Sequence, residues 1–408
     1  MPHASTPVLR DALRLTPGVE TLGIESAFEV AAAARRLEAQ GRSVVHTEIG
    51  EPDGPTPAHI VEGGIRALRD GATRYAPAAG VAALRDAIAT HMADRGVSAT
   101  AEQVVVTSGA KPMLLYAVLA LVRPGDEVLV PDPGFPIYES AVRLVGGVPI
   151  PYPVFPTDGA LRDEAIAAAI TPRTRVLVLN LPGNPTGTAV PAAVLDAIAE
   201  LAVRHDLAVL SDEIYSRLYF AGVHESVASR PGLAQRTVLV DGFSKTYAMT
   251  GWRLGYGVMP ARLAERVTAL VINSTSCVPP FIQLAGLAAL AGPQQCVTAL
   301  VSRLRANRDN IVRGLNAIPH VHCASPSAAF YAFPDVSGLL ERSGLSSTTL
   351  SRILLDVYGL ATLAGSSFGA RGEGHLRLSF ATSPELLAAA LDRLAACAFD
   401  LSSAHQLR

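Results

Sequence analysis

Short apolar segments alternate with longer stretches rich in alanine and leucine between Glu102 and Met259. Alternation at this spacing is typical of strands and helices that build a mostly parallel sheet covered on both faces. Ligands of such sheets bind beyond the carboxyl ends of the strands. The sequence therefore predicts an α/β fold whose functional residues follow the strands. The predicted strands are Val104–Val106, Glu127–Val130, Val176–Leu179, Ala208–Leu210, Val238–Val240 and Gly255–Met259.

Outside this region, the spacing of apolar residues and the positions of glycine and proline predict further elements. Before it we expect helices at Glu25–Gln40, His59–Arg69 and Val81–Arg95, a strand at Ser43–Ile49 and a loop at Gly50–Pro57. After it we expect a long helix at Pro293–Ile318, strands near Ala329–Phe333 and His375–Phe380, and helices that begin at Ser347 and Pro384.

Composition excludes several classes of protein. The chain has 408 residues, of which 49% are hydrophobic and 17% charged, as in a folded globular protein large enough for two domains. A net charge of −2 gives no electrostatic footprint for nucleic acid. No apolar run could span a membrane, and Met1–Arg10 lacks the apolar segment of a signal peptide. Four scattered cysteines predict no metal site and a cytoplasmic location.

Lysine is rare in this chain, which contains only Lys111 and Lys245. An amine can form a Schiff base with a carbonyl and a guanidinium cannot, so Lys245 is a candidate nucleophile. It lies in the segment Asp241-Gly-Phe-Ser-Lys-Thr-Tyr-Ala-Met-Thr-Gly-Trp-Arg-Leu-Gly255, whose small residues indicate close approach of the backbone to a ligand. Arg253, in the same segment, offers a forked donor set that suits a phosphate.

This segment resembles the lysine segment of class I/II aminotransferases, pyridoxal 5′-phosphate enzymes of fold type I that include bacterial aspartate aminotransferase-like enzymes. The resemblance implies a mostly parallel seven-stranded sheet in a large domain, joined to a smaller α+β domain. It implies that Lys245 holds the cofactor as a Schiff base and shuttles a proton, while Ser244 and Arg253 bind the cofactor. It also implies a homodimer with composite active sites.

The same resemblance covers nearly the whole chain from about Gly50 onward and implies domain boundaries. Residues 1–19 would be an N-terminal arm, and residues 48–292 the large cofactor-binding domain. Residues 20–47 and 293–408 would form the small domain together.

A second segment, Val104-Val-Val-Thr-Ser-Gly-Ala-Lys111, runs from a strand through a glycine turn into a helix. Free amides at a helix N-terminus, with the helix dipole behind them, bind anions. Such a turn also occurs in α/β proteins that bind no phosphate. In the family that this chain resembles, Gly109, Ala110 and Lys111 match residues around the cofactor phosphate.

Two more strand-end segments match the family, Asn180-Leu-Pro-Gly-Asn-Pro-Thr-Gly187 and Ser211-Asp-Glu-Ile-Tyr215. Alone, the first would be a turn and Asp212 would be a helix cap. By resemblance, Asn184 and Tyr215 contact the phenolic oxygen of the cofactor. Asp212 would hold the pyridine nitrogen protonated, which makes the ring an electron sink. We therefore predict Lys245, Asp212 and Tyr215 as the catalytic residues.

Two aromatic residues complete the predicted cofactor site. Phe135, in Asp132-Pro-Gly-Phe-Pro-Ile-Tyr138, matches an aromatic residue that stacks on the cofactor ring, although it could instead be an ordinary core residue. Tyr75 resembles a tyrosine that reaches the phosphate from the neighbouring subunit.

The predicted substrate residues are Gly50, Asn184 and Arg377. Arg377, in His375-Leu-Arg-Leu-Ser-Phe380, matches the arginine that binds the α-carboxylate of the substrate through two parallel bonds. The side chain of the substrate stays open at this point. No arginine for a distal carboxylate occurs in 273–280, but Lys111 stands where another bacterial subgroup uses a lysine for that contact.

Two further residues bear on the substrate. Ala328 stands where relatives usually have glycine, which affects the backbone near the substrate. Glu25 would disfavour acidic substrates if the N-terminal segment folds over the pocket.

The resemblance implies an aminotransferase that moves an amino group from an L-amino acid to a 2-oxo acid in ping-pong fashion, and the composition predicts no nucleic acid or membrane partner. A pyridoxal-phosphate lyase that catalyses β-elimination, such as carbon–sulfur cleavage, would share every cofactor residue and is the alternative. A non-enzymatic regulator on the same fold is a remote alternative, because we expect no room for a DNA-binding module before the domain.

Overall fold

An eight-stranded sheet lies at the centre of the structure, a computed structural model that describes residues 15–20, 22, 26–155 and 160–406. The strands of the described chain are β1 Val45–His46, β2 Val104–Thr107, β3 Glu127–Asp132, β4 Val148–Phe155, β5 Ala160–Leu161, β6 Thr174–Asn180, β7 Ala208–Asp212, β8 Thr237–Gly242, β9 Gly255–Val258, β10 Tyr331–Ala332, β11 Leu360–Ala361, β12 Leu363–Ala364 and β13 Leu376–Ser379.

The large sheet has the strand order β2-β9-β8-β7-β6-β3-β4-β5. Strands β8, β7, β6, β3 and β4 pair in parallel, whereas β9 is antiparallel to both β2 and β8. The prediction of a mostly parallel seven-stranded sheet is confirmed, and the two-residue strand β5 adds an eighth at the edge. Every residue of β2, β3, β8 and β9 is buried, as expected for strands covered on both faces.

Strand β4 was not among the apolar segments predicted as strands. Its sequence is Val-Pro-Ile-Pro-Tyr-Pro-Val-Phe, and proline within a run argues against a central strand. The three prolines alternate, so the missing N–H groups all lie on one side of the strand. The remaining N–H groups of β4 lie on the other side, which faces β3. The two strands pair there from Glu127 and Val148 to Asp132 and Pro153.

Helices cover this sheet and pack around two smaller ones. The helices of the described chain are α1 Pro17–Glu20, α2 Ser26–Ala39, α3 Ala58–Arg69, α4 Ala82–Ala93, α5 Ala110–Leu121, α6 Ile137–Leu144, α7 Asp163–Ala169, α8 Ala192–Arg204, α9 Ala261–Ser274, α10 Pro280–Ala291, α11 Gln295–Asn316, α12 Ser337–Ser343, α13 Ser347–Asp356 and α14 Pro384–Gln406. The predicted helices match within a few residues, but the strand expected at Ser43–Ile49 is only the two-residue β1. Glu25 and most of the predicted arm lie outside the described residues.

The two small sheets involve both ends of the chain. One has the order β10-β13-β12, and the other pairs β1 with β11 in parallel, with Val45 opposite Leu360. A single apolar core contains Val45, Leu304 of α11 and Leu394 of α14. These contacts fit the predicted small domain made of residues 20–47 and 293–408, and the division into domains stays a prediction.

No single helix in the described part of the chain is both long and apolar enough to cross a membrane. Helices α10 and α11 reach that length and composition only as a pair, which is bent by 78° at its break.

Candidate active site

A cavity of about 530 Å³ opens at the edge of the large sheet where its parallel strands end. Its size is within the range of small-molecule and cofactor sites. The predicted site residues that line it are Gly50, Ala110, Lys111, Phe135, Asn184, Asp212, Tyr215, Ser244, Lys245, Arg253 and Arg377.

The topology of the sheet explains why these distant residues converge. Asp212 is the last residue of β7, and Lys245 follows β8 by three positions. Asn184 follows β6, and Phe135 follows β3. Because parallel strands end at the same edge, the segments after them meet around one cavity.

Lys245, a half-buried residue, presents its amine to this cavity. Its Nζ donates a hydrogen bond to the backbone carbonyl of Gly50 over 2.5 Å. Burial lowers the pKa of Lys245 to about 8, and the positive charges of Arg377, Arg253 and Lys111 act in the same direction, against Glu51. A larger fraction of this amine is therefore neutral, and so nucleophilic, at neutral pH than for a surface lysine.

Asp212 presents a buried carboxylate. The hydroxyl of Tyr138 donates a hydrogen bond to Oδ2 over 2.8 Å, and the backbone amide of Ile214 donates one to Oδ1 over 3.2 Å. Burial raises the pKa of Asp212 to about 6 in spite of these two bonds, and the neighbouring acids Asp241 and Glu213 add to the rise. A cation at this position would stabilise the ionised carboxylate.

Arg253 lines the end of the cavity that suits a phosphate, and the predicted residue Gly109, which is not part of the lining, lies against its guanidinium. Gly109 precedes helix α5 with a φ of 90°, a conformation that favours glycine. A Cβ atom on Gly109 would overlap the guanidinium of Arg253, so the backbone here must be bare. Arg253 donates from Nη1 to the carbonyl of Thr250 over 2.8 Å. The free amides at the start of α5 therefore lie beside a guanidinium.

Arg377 lies at the other end of the cavity and is 3% exposed. Its guanidinium lies 4.5 Å from the ring centre of Tyr331 and 5.1 Å from that of Phe368. Nη1 donates to Oδ1 of Asn184 over 3.4 Å, and Nη2 donates to the carbonyl of Glu48. These contacts hold a planar donor set at the cavity wall, which suits a carboxylate.

The model of the family described as aminotransferase class I and II matches residues 42–394. This chain belongs to the class I and II aminotransferases. The arginine–pyruvate transaminase of Pseudomonas aeruginosa is 39% identical over 371 residues, which cover 90% of this chain and 93% of that protein. The aspartate/prephenate aminotransferase of Thermus thermophilus is 39% identical over 389 residues, which cover 93% and 98%. The solved structure of the T. thermophilus aspartate aminotransferase with maleate gives a TM-score of 0.89 at 37% identity, covering 94% of this chain and 100% of that one.

Members of this family depend on pyridoxal 5′-phosphate, and the predicted cofactor and aminotransferase activity are confirmed. The similarities do not favour the alternative prediction of a lyase. The cavity of this aminotransferase fits the cofactor chemically. It combines a nucleophilic amine on Lys245, a guanidinium beside helix amides for a phosphate, and in Asp212 a buried carboxylate that a protonated ring nitrogen would stabilise.

Lys111 lies between two aromatic rings in the aminotransferase. Its ammonium is 5.0 Å from the ring centre of Phe135 and 5.7 Å from that of Phe28, which belongs to helix α2 and lines the cavity. Lys111 follows Gly109 by two positions and so lies next to the predicted phosphate site as well. Phe28 was not predicted as a site residue.

Two predicted residues lie away from the cavity. Tyr75 is 90% exposed and contributes nothing to the cavity of its own chain. Ala328 is fully buried and does not line the cavity, while its amide donates to the carbonyl of Gly187 over 3.1 Å. The next residue, Ala329, has a φ of 62°, and the expected effect of Ala328 on the substrate stays a prediction.

Sequence reasoning missed two tyrosines of the site. Tyr138 donates a hydrogen bond to Asp212. It could have been predicted from its position about one helical turn after Phe135 in the same segment. The hydroxyl of Tyr331 lies 2.7 Å from that of Tyr215. A Cβ atom on Gly50 would overlap this same hydroxyl, which explains a glycine at that position.

Proposed function

We propose that this aminotransferase transfers the amino group of an L-amino acid to a 2-oxo acid with Lys245 as its covalent cofactor lysine. The observation that carries the proposal is one cavity containing a lysine amine of lowered pKa, a buried carboxylate of raised pKa and two guanidinium groups. Each of these groups matches one part of a pyridoxal-phosphate reaction site.

The cofactor phosphate would bind at Arg253, Ser244 and the amides of Gly109, Ala110 and Lys111. The remaining contacts follow from the chemistry of the side chains around the cavity. The carboxylate of Asp212 would pair with the ring nitrogen, and the ring of Phe135 would cover one face. Asn184 and Tyr215 would donate to the phenolic oxygen.

Bound pyridoxal 5′-phosphate supplies an electron sink for the electron pair that remains when an amino acid loses its α-proton. Lys245 Nζ would remove this proton and return it at the end of the half-reaction. A pKa of about 8 suits the amine to both steps, because it can accept and release a proton near neutral pH. Asp212 would remain ionised throughout, and Tyr138 would hold it in place through its hydroxyl.

Arg377 would bind the α-carboxylate of the substrate. Its planar donor set is held by Tyr331, Phe368 and Asn184, so little side-chain freedom is lost when a carboxylate binds. Gly50, whose carbonyl already contacts Lys245, would place its loop over the substrate.

Lys111 is a candidate for recognition of the substrate side chain. A second carboxylate of the substrate would find its ammonium beside the rings of Phe28 and Phe135. The competing role is extra binding of the cofactor phosphate at the start of α5. The printed names of the relatives include aspartate, prephenate and arginine–pyruvate enzymes, so both acidic and other side chains occur among similar proteins.

We also propose a homodimer in the cytoplasm. Tyr75 is a large aromatic residue that is almost fully exposed in one chain, which suits a contact with the active site of a second copy. All four cysteines are free thiols, as is usual in a reducing compartment.

A single half-reaction tests the proposed function. Mixing the holoenzyme with one amino acid and no oxo acid should convert one equivalent of the cofactor per active site to pyridoxamine phosphate and release one equivalent of 2-oxo acid. Continuous release of ammonia, with the cofactor unchanged, would indicate a lyase instead. A panel of amino acids measured by the absorbance of the two cofactor forms then identifies the donor.

A further inference from the structure

A buried group of charged side chains adjoins the active site without lining its cavity. It consists of Arg95, which follows helix α4, Glu213, which follows β7, Asp241 in β8 and His224. The side chains of all four are at most 7% exposed. Buried charges need mutual compensation, because each would otherwise be strongly destabilised.

Ion pairs connect the members of this group. Arg95 Nη2 lies 2.6 Å from Oδ2 of Asp241, and its Nη1 lies 3.7 Å from Oε2 of Glu213. The same Oε2 is 2.6 Å from Nε2 of His224. Serine hydroxyls donate further hydrogen bonds to the two carboxylates. They are Ser211 and Ser226 on Glu213, at 2.9 and 2.6 Å, and Ser216 on Asp241, at 3.0 Å.

The two acids of the group adjoin both proposed catalytic residues. Glu213 is the next residue after Asp212, and Asp241 precedes Lys245 by four positions in the same segment. The amide of Glu213 donates to the carbonyl of Val240 over 2.8 Å, which ties the ends of the two strands together. The negative charges of Asp241 and Glu213 raise the pKa of Asp212, so a change of charge in this group acts on Asp212 directly.

Arg95 provides a fixed positive charge for these acids. Burial opposes the charge of Glu213, but His224 and Arg95 hold its pKa below the usual range. On helix α4, His91 accepts a hydrogen bond from Arg95 Nη2 over 3.1 Å, and burial lowers the pKa of His91 to about 4, so it adds no positive charge at neutral pH. The other titratable groups nearby are three tyrosines and one arginine. Tyr219 interacts with Glu213, Tyr247 and Tyr256 interact with Asp241 and Arg95, and Arg217 interacts with His91.

We infer that Arg95 is a positioning residue that compensates Glu213 and Asp241 and thereby fixes the electrostatic field in which Asp212 and Lys245 act on the cofactor. This inference rests on the proposed roles of those two residues. Arg95 contacts neither of them and acts through the two acids. Without it, the two buried carboxylates next to the site would lose the fixed positive charge that lies between them.

The pH titration of the cofactor absorbance in substrate-free holoenzyme tests this role. Arg95→Met should raise the midpoint by roughly one pH unit, because added negative charge stabilises the protonated form of the bound chromophore. It should also weaken kcat/KM about tenfold. In Arg95→Met/Asp241→Asn, one negative charge is removed together with the positive one, and the midpoint should return close to the wild-type value.

Arg173→Met is the matched control. Arg173 pairs with Glu127, a buried carboxylate at the opposite end of the same sheet, so its removal should leave the midpoint unchanged. If Arg95→Met does not fold, Asp241→Asn and the double variant provide the comparison. Asp241→Asn alone should lower the midpoint by roughly one pH unit, and loss of the Arg95 charge in the double variant should restore it.

A wild-type midpoint in Arg95→Met, or in its absence equal midpoints in Asp241→Asn and the double variant, overturns the inference and assigns Arg95 to packing alone. Failure of the proposed function has a different signature. In that case the wild-type protein itself shows no titration of cofactor bound to Lys245.

Discussion

The amine of Lys245 donates a hydrogen bond to the carbonyl of Gly50 over 2.5 Å, although 195 positions separate the two residues. Gly50 belongs to the loop after β1, and Lys245 follows β8 of the large sheet. The loop therefore contacts the reactive amine and also closes on the hydroxyl of Tyr331. Substitution of Lys245, or a change in its protonation, should therefore affect the covalent attachment of the cofactor.

Lys245→Ala should still bind the cofactor non-covalently, because the proposed phosphate and ring contacts remain. It should lose the absorbance of the covalently bound form and almost all turnover, since no amine is left to attach the cofactor or move the proton. Lys245→Arg is the control that keeps a positive charge without a nucleophile. Transamination by Lys245→Ala at close to the wild-type rate would rule out this role.

The rate of covalent attachment to the apo protein should depend on pH with a midpoint near 8. The neutral amine is the nucleophile, and the pKa of Lys245 is lowered to about 8 by burial. The rate should therefore rise about tenfold per pH unit below this value and level off above it. Rapid-mixing absorbance measurements between pH 6 and 10 check this. A rate that still climbs at about pH 10 would mean an unperturbed lysine.

Asp212→Asn should change stability and catalysis in opposite directions. The pKa of Asp212 is raised to about 6, so its contribution to stability is present below about pH 4 and is lost as the pH rises through 6. Above pH 6, apo Asp212→Asn should thus gain up to about 3 kcal/mol relative to the apo wild type. Denaturant unfolding of both apo proteins at pH 5 and 7.5 measures this difference.

The same variant should bind the cofactor but lose much of kcat, because an amide cannot hold the ring nitrogen protonated. An effect confined to cofactor affinity would count against the proposed role of Asp212.

Gly109→Ala should weaken cofactor binding by more than tenfold, because the new methyl group displaces the guanidinium of Arg253. It should also lose about 1–2 kcal/mol of stability from its φ of 90°. Gly125→Ala is a close control, since Gly125 has a φ of 87° and no atom near its missing Cβ. The control should lose stability alone. If the two variants bind the cofactor with equal affinity, displacement of Arg253 does not affect cofactor binding.

Lys111→Ala distinguishes the two roles of Lys111. If its ammonium binds a distal carboxylate, acidic substrates should lose about 1.5–3 kcal/mol in kcat/KM, while alanine and phenylalanine are spared. If it binds the phosphate, all substrates should weaken together through lower cofactor occupancy. Kinetics over this panel at saturating cofactor provide the measurement. Equal losses across the panel would exclude the distal-carboxylate role.

The sequence predicted the sheet and most of the cavity because that information is local. Lys245, Asp212 and Asn184 each lie in a long segment that follows an apolar strand, and the resemblance of these segments to those of the family gave each residue its predicted role. Tyr331 depends instead on tertiary structure, because its hydroxyl meets that of Tyr215 across 116 positions. The compensation of Asp241 by Arg95 has no local pattern either, since the two residues meet only after helix α4 packs on the sheet.

The alternating prolines of β4 also limit how copies of this chain can associate. Amyloid-like and edge-to-edge association needs a row of free N–H groups on the outermost strand. Pro149, Pro151 and Pro153 remove these donors from the outer side of β4, and the two residues that follow them pair with β5. An incoming strand would therefore find no row of N–H groups to pair with at this edge of the sheet. The missing donors protect a partly unfolded chain from aggregation through that edge.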